Sequence, residues 1–128
     1  MERLQQRLTQ TKSALEKLSE ILSFPKTEVH RDAAIQRFEF TTETTWKLAQ
    51  LFLKTEHGIE ASSPKTTMRN CFETGILSED ETSIAIKLID DRNLATHTYN
   101  EDLAETIYSK LGQYLDLLNK IYQHISNI

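Results

Sequence analysis

The chain has 128 residues, of which 38% are hydrophobic and 27% charged, with a formal net charge of -4. That length makes one domain with a single core, and the composition is that of an ordinary globular protein rather than a disordered or membrane-embedded one. The acidic balance argues against a broad nucleic-acid binder, so any phosphate chemistry must rely on a small positive pocket or on positives from two subunits.

At the start, Met1-Glu2-Arg3-Leu4-Gln5-Gln6-Arg7 lacks the apolar core of a secretion signal. Apolar runs elsewhere are too short and interrupted to span a bilayer. A cytoplasmic protein without membrane attachment is expected. Leu4, Leu8, Leu15, Leu18 and Leu22 form one stripe, which predicts a first helix over about residues 3–22. Phe24-Pro25-Lys26-Thr27 breaks it, because proline disfavours the helical region for the residue before it.

A longer second helix is predicted over about residues 29–57, with Phe38, Thr42, Thr45, Trp46, Ala49, Phe52 and Leu53 on its inner face. Thr41, Thr42, Thr44 and Thr45 are poor helix formers, so packing of the aromatic stripe must outweigh them. Gly58 is a left-handed terminator. Ser62-Ser63-Pro64 is a helix start, with serine as cap and proline in the first turn. The short third helix runs through Met68, Cys71 and Phe72 to Gly75. Cys71 is the single cysteine, so no internal disulfide forms, and its neighbours suggest a core position.

Ser78 to Glu81 fits a capping box for a fourth helix, which carries Ile84, Leu88 and Ile89 towards Arg92. Asn100-Glu101-Asp102 is a further cap with acids in its first turn. The last helix uses Leu103, Ile107, Leu111, Leu115, Leu118, Tyr122 and Ile125. There is no strand alternation, repeat or low-complexity tract. The expectation is an all-α, antiparallel up-and-down bundle of four long helices plus one short one, forming a single domain over residues 1–128.

Arg92-Asn93-Leu94-Ala95-Thr96-His97-Thr98-Tyr99 carries the chemistry. Arginine grips phosphate with a forked set of donors. Histidine exchanges protons near neutral pH. In a metal-independent RNA cleavage, a base takes the proton of a ribose 2′-hydroxyl, whose oxygen attacks the adjacent phosphorus to give a cyclic phosphate. His97 suits the proton transfer, and Arg92 suits the charge developing on the phosphoryl oxygens. Asn93 lies one helical turn before His97, where it can orient the ring or contact the ribose. DNA lacks the attacking hydroxyl, so this chemistry selects RNA.

Residues five apart on a straight helix point about 140° from each other. Arg92 and His97 therefore cooperate only if the helix ends near Thr96, or if two copies meet across a two-fold axis; the two arrangements are compatible. The plainer reading is a surface ion pair of Arg92 with Asp90 or Asp91, a capping histidine and a packing tyrosine. His30, His57 and His124 have no metal-ligand spacing. Lys47, Lys54, Lys65 and Arg69 are a candidate basic fringe for RNA, with solvated helix faces as the default. Glu39 and Glu43, near Trp46, read as a polar helix edge, and Trp46 itself reads as core.

Arg92 to Tyr99 spells Arg-x4-His-x-Tyr, which resembles the signature of HEPN domains. More closely, it resembles the small bacterial and archaeal HEPN proteins paired with a minimal nucleotidyltransferase, often labelled nucleotidyltransferase substrate-binding proteins. The likeness spans nearly the full chain. Arg31-Asp32-Ala33-Ala34-Ile35-Gln36-Arg37-Phe38-Glu39-Phe40-Thr41 with Trp46-Lys47 resembles the subfamily's second helix. Ser63-Pro64 with Arg69 and Phe72 resembles its third. Asp91-Arg92-Asn93-Leu94 through His97-Thr98-Tyr99-Asn100-Glu101 resembles its signature.

The resemblance implies a helical bundle that forms two-fold homodimers with the motif at the interface. It implies an endoribonuclease toxin with Arg92 and His97 as catalytic residues and no metal or other cofactor for cleavage; Asn93 and Asp91 are expected in support. It implies a partner, a minimal nucleotidyltransferase antitoxin, that uses ATP to adenylylate Tyr99. A second implication for the same subfamily is a non-catalytic subunit that binds substrate for the partner enzyme. The chain lacks the Gly-Ser loop and paired carboxylates of such transferases, so it is not itself a nucleotidyltransferase.

Overall fold

A computed structural model describes residues 2–127. Met1 and Ile128, the ends of the expected domain, lie outside the described residues. Five α-helices follow one another: α1 Glu2–Leu22, α2 Glu28–His57, α3 Pro64–Glu73, α4 Glu79–Leu94 and α5 Glu101–Ser126. The fold is the expected all-α bundle, with four long helices and one short. α2 packs against every other helix, α1 and α5 also pack against each other, and α3 and α4 form a hairpin at the side. Among the described residues, no helix is long and apolar enough to cross a membrane.

The helix starts follow local chemistry. Thr27 caps α2 by accepting the backbone N–H of His30 at 3.0 Å. Ser63 caps α3 ahead of Pro64, and Ser78 and Glu81 form both halves of a capping box on α4. Gly58 ends α2 at φ +66°, a conformation that favours glycine.

Leu18, Phe38, Leu48, Leu53, Met68, Leu88, Ile107, Leu111 and Leu118 are fully buried and form the heart of one core. Cys71 is buried as expected, and burial pushes its thiol up to about 12. The four threonines of α2 are also buried. Thr41 donates to the carbonyl of Arg37 at 2.6 Å and Thr45 to that of Thr41 at 2.7 Å, so these two hydroxyls are satisfied by their own helix, while that of Thr42 is buried without a partner among the described residues. The Thr44 and Thr11 hydroxyls meet at 3.1 Å between α2 and α1. Thr41 and Thr44 are thus part of the α1–α2 seam, and their hydrogen bonds offset part of the cost that aromatic packing would otherwise carry. Trp46 is half-buried against the core, not within it.

One line of contacts fixes the last turns of α4 against α2 and α5. Phe38 of α2 stacks on Tyr114 of α5, with ring centroids 5.6 Å apart. The Tyr114 hydroxyl donates to Asp91 of α4 at 2.6 Å. Three helices are therefore tied together one residue before Arg92.

Candidate functional site

The stretch from Arg92 to Tyr99 sits at the corner between α4 and α5. After Leu94 the chain tightens into a 3-10 turn, Ala95–His97. Ala95 is buried and anchors that turn. Thr98 donates its hydroxyl to the carbonyl of Ala95 at 2.9 Å, and the Asn100 N–H donates to the carbonyl of His97 at 3.1 Å. The Asn100 side chain then accepts the N–H of Leu103 at 3.2 Å and starts α5. The helix break that Asn100 foretold is present, so Arg92 and His97 do not lie on one straight helix.

His97 and Tyr99 stand together on the outside of this corner. Tyr99 is 82% exposed, His97 is exposed, and their rings meet edge to face at 5.9 Å. The Tyr99 hydroxyl lies 3.5 Å from His97 Nδ1, the outer limit of a hydrogen bond, so the phenol is not locked. His97 Nε2 has no hydrogen-bond partner among the described residues.

Arg92 is held from α2. Its Nη2 donates to Glu43 Oε2 at 2.6 Å, a short charge-assisted bond, and its side chain remains 34% exposed. Nη1 reaches Asn93 Oδ1 at 3.4 Å. Nε is buried and unpartnered. Glu43 also accepts the indole N–H of Trp46 at 3.1 Å and pairs with Lys47 at 3.2 Å. Burial pushes the Glu43 carboxyl up, but the Trp46 and Lys47 hydrogen bonds and the charges of Arg92 and Lys47 outweigh it, and the carboxyl ends below its usual range.

Within one protomer the expected residues thus fall into two groups. His97 and Tyr99 touch each other; Arg92 and Asn93 touch each other; no hydrogen bond joins the groups. Asp91 faces inward, 13% exposed, and accepts from Tyr114 and, at 3.4 Å, from Lys110. Burial, followed by the Asp91 hydrogen bond and negative charge, raises the Tyr114 phenol well above its usual value. Asp91 therefore ties α4 to α5. Neither Asp90 nor Asp91 pairs with Arg92, contrary to the plainer reading; Asp90 pairs with Lys65 of α3 at 2.6 Å.

Glu43 is the residue that local spacing left as a polar edge and that proves to hold the arginine, 49 residues away in sequence. Its one local signal was its distance of three and four residues from Trp46 and Lys47. The remaining histidines lie away from this corner. His30 Nδ1 contacts the carbonyl of Pro25 at 2.6 Å, and His57 and His124 both meet the ring of Phe52 edge-on.

A family model described as nucleotidyltransferase substrate binding protein like matches residues 6–127. A solved structure from Thermus thermophilus is similar, with 40% identity, a TM-score of 0.87, and coverage of 90% of this chain and 98% of that one. A protein of Haemophilus influenzae named as a probable ribonuclease HepT is 28% identical over 86 residues, 64% of this chain. The chain spans 58% of the length of that curated relative. The solved structure of a mutant of the toxin–antitoxin MntA-HpeT shares the fold over the whole of both chains, with a TM-score of 0.80 at 12% identity.

Proposed function

The chain belongs to the nucleotidyltransferase substrate binding protein like family, and on that basis we propose that it is a HEPN toxin: a metal-independent endoribonuclease silenced by a nucleotidyltransferase that adenylylates Tyr99. The observation that carries this reading is the exposed pairing of His97 with Tyr99 at the α4–α5 corner, beside the end of the helix that bears Arg92. An imidazole and a phenol so placed are open to solvent and to a second macromolecule.

Two protomers related by a two-fold axis bring their corners together, which also doubles the local positive charge. In that cleft the His97 imidazole removes the proton of a ribose 2′-hydroxyl. The 2′-oxygen bonds to phosphorus, the bond from phosphorus to the 5′-oxygen breaks, and the second copy's imidazole returns a proton to that oxygen. The products are a 2′,3′-cyclic phosphate and a 5′-hydroxyl. Arg92, a third exposed and with one side of its fork on Glu43, offers its exposed Nη donors to the phosphoryl oxygens.

Silencing uses ATP bound by the partner enzyme. The Tyr99 oxygen attacks the α-phosphorus, pyrophosphate leaves, and the phenolic proton goes to solvent. The adduct adds bulk and negative charge within 3.5 Å of His97 and repels an incoming RNA backbone.

The test is cleavage of RNA in the presence of chelator. His97→Ala should lose at least about 100-fold in rate, and Tyr99→Phe should cleave yet resist silencing by the transferase and ATP. Equal rates for wild type and His97→Ala would overturn the nuclease reading. A second reading, a binding subunit that places a substrate for the transferase, is favoured by one observation, the engagement of Arg92 by Glu43 instead of His97. A stable complex required for transfer onto a third molecule, with no RNA cleavage, would select it.

A further inference from the structure

A cleft of about 390 Å³ opens between the start of α1, the second half of α2 and the loop after Gly58. Four cations line it: Arg3 and Arg7 from α1, and Lys47 and Lys54 from α2. Glu60 is the one carboxylate in the lining. In a chain with 19 acids against 15 Lys and Arg, this is a concentrated reversal of sign. Neither Arg7 nor Lys54 meets a carboxylate within ion-pair distance among the described residues; Arg7 reaches the amide of Gln10 at 3.4 Å.

The cleft is prebuilt. Gln50 donates its amide to the carbonyl of Ala61 at 2.7 Å and pins the loop across α2. The Gly58 and Ile59 N–H groups close the end of α2 onto Lys54 and Leu53, each at 3.1 Å. The cleft also joins the site already described. Lys47 lines it and pairs with Glu43, whose other oxygen holds Arg92.

We propose that this cleft is a second phosphate-binding site, a track that holds the backbone of single-stranded RNA flanking the bond positioned at Arg92. The inference rests on the nuclease reading for its substrate. The spacing favours a chain of phosphates over a single anion. Arg3 and Arg7 are one turn apart, about 6 Å along α1, and Lys47 and Lys54 about 10 Å along α2. A repeating polyanion can engage cations spread over that length at successive phosphates. The Glu43 carboxylate marks the junction, where RNA phosphate and the resting carboxylate compete for Lys47 and Arg92.

The experiment measures binding on the His97→Ala protein, so that RNA stays intact, with fluorescent single-stranded RNA of 4 and 20 nucleotides at several salt concentrations. Arg7→Gln with Lys54→Gln should weaken the 20-mer by about 10- to 30-fold and lower the slope of log Kd against log salt by about 1.4, as expected for two lost contacts on a single strand. It should also abolish most of the advantage of the 20-mer over the 4-mer. Both sites are solvent-accessible and glutamine is a good helix former, so folding should persist, checked by the melting temperature. The matched pair Lys12→Gln with Lys87→Gln removes the same charge away from the cleft and should leave the slope unchanged.

Unchanged affinity and slope in the cleft variant would overturn the proposal, as would an equal loss in the matched pair. A loss of ATP binding as large as the loss of RNA binding would make the cleft a mononucleotide site and overturn the polynucleotide assignment. RNA binding that depends on the cleft in a protein that cleaves nothing would sink the nuclease reading alone. Cleavage by a protein whose binding ignores the cleft would sink this inference alone.

Discussion

Arg31 and Arg92 are both arginines in contact with carboxylates, and they are held differently. Arg31 projects from the first turns of α2 into the start of α5, where its side chain is 5% exposed. Its Nε meets Asp32 at 3.0 Å, and Nη1 meets Glu101 at 2.7 Å and Glu105 at 3.0 Å. Glu105 is shared with Lys26. Every side of the guanidinium fork is occupied. The hydrogen bonds from Glu101 and Glu105 outweigh desolvation and hold Arg31 charged even more firmly than an ordinary arginine. Arg92 has one carboxylate, an orphaned Nε and a third of its side chain open to solvent. A saturated arginine is a clamp, whereas an unsaturated one is still able to take an anion. The clamp also serves the site, because Glu101 lies two residues beyond Tyr99 and fixes the first turn after the corner.

The widest separation between the two should appear in paired variants. Arg92→Gln should cut RNA cleavage by about 100- to 1000-fold, the usual loss for one donor to a developing oxyanion. Its melting temperature should stay within about 3 °C of wild type, since its ion pair is a partly exposed one. If Arg92→Gln melts early and cleaves normally, the contrast collapses.

Arg31→Gln should behave in reverse. We expect a fall in melting temperature of about 4–10 °C, from several lost charge-assisted bonds at a buried side chain, with cleavage per folded molecule within about threefold of wild type. Tyr114→Phe is a smaller blow. It removes the hydroxyl that satisfies the mostly buried Asp91 and should cost about 1–2 kcal/mol, read from urea unfolding. A few-fold loss of kcat/KM should accompany it, because α4 loses its tether next to Arg92.

The acid limb of stability gives the finest discrimination. Hydrogen bonds from Arg31, and for Glu105 first from Lys26, hold the Glu101 and Glu105 carboxyls below their usual value of 4.5 in the folded state. A folded carboxyl with a depressed pKa contributes stability above its unfolded value and loses it as pH falls through the folded one. Wild type should therefore lose melting temperature as pH drops below about 4.5, and Arg31→Gln should show a shallower decline over the same range. Parallel curves would mean that Arg31 is not the clamp.

Much of the fold was readable because its signals are local. Thr27, Ser63, Ser78 and Asn100 each cap a helix through a bond to a backbone N–H three residues on, and Gly58 needs only its own backbone freedom. The expected stripes were right in period but displaced at their edges. In α5, Tyr114, Leu117 and Ile121 are buried, while Leu103, Leu115 and Tyr122 lie only partly so. Periodicity finds the face of a helix, but the neighbouring helices decide its centre.

The charged residues were the hard part. Local spacing offers Lys47, Lys54, Lys65 and Arg69 as a candidate fringe with solvated helix faces as the default, yet the cleft takes its other cations, Arg3 and Arg7, from α1, while Lys65 goes to Asp90. The sequence by itself determined the five helices and the break between residues 94 and 101, because caps, proline, glycine and apolar spacing act within a turn or two. Only the tertiary structure decided that Glu43 takes Arg92, that Tyr114 takes Asp91 and that Arg31 is a clamp. An ion pair forms between whichever side chains the helix packing brings within about 4 Å, and nothing within a single turn of helix encodes that meeting.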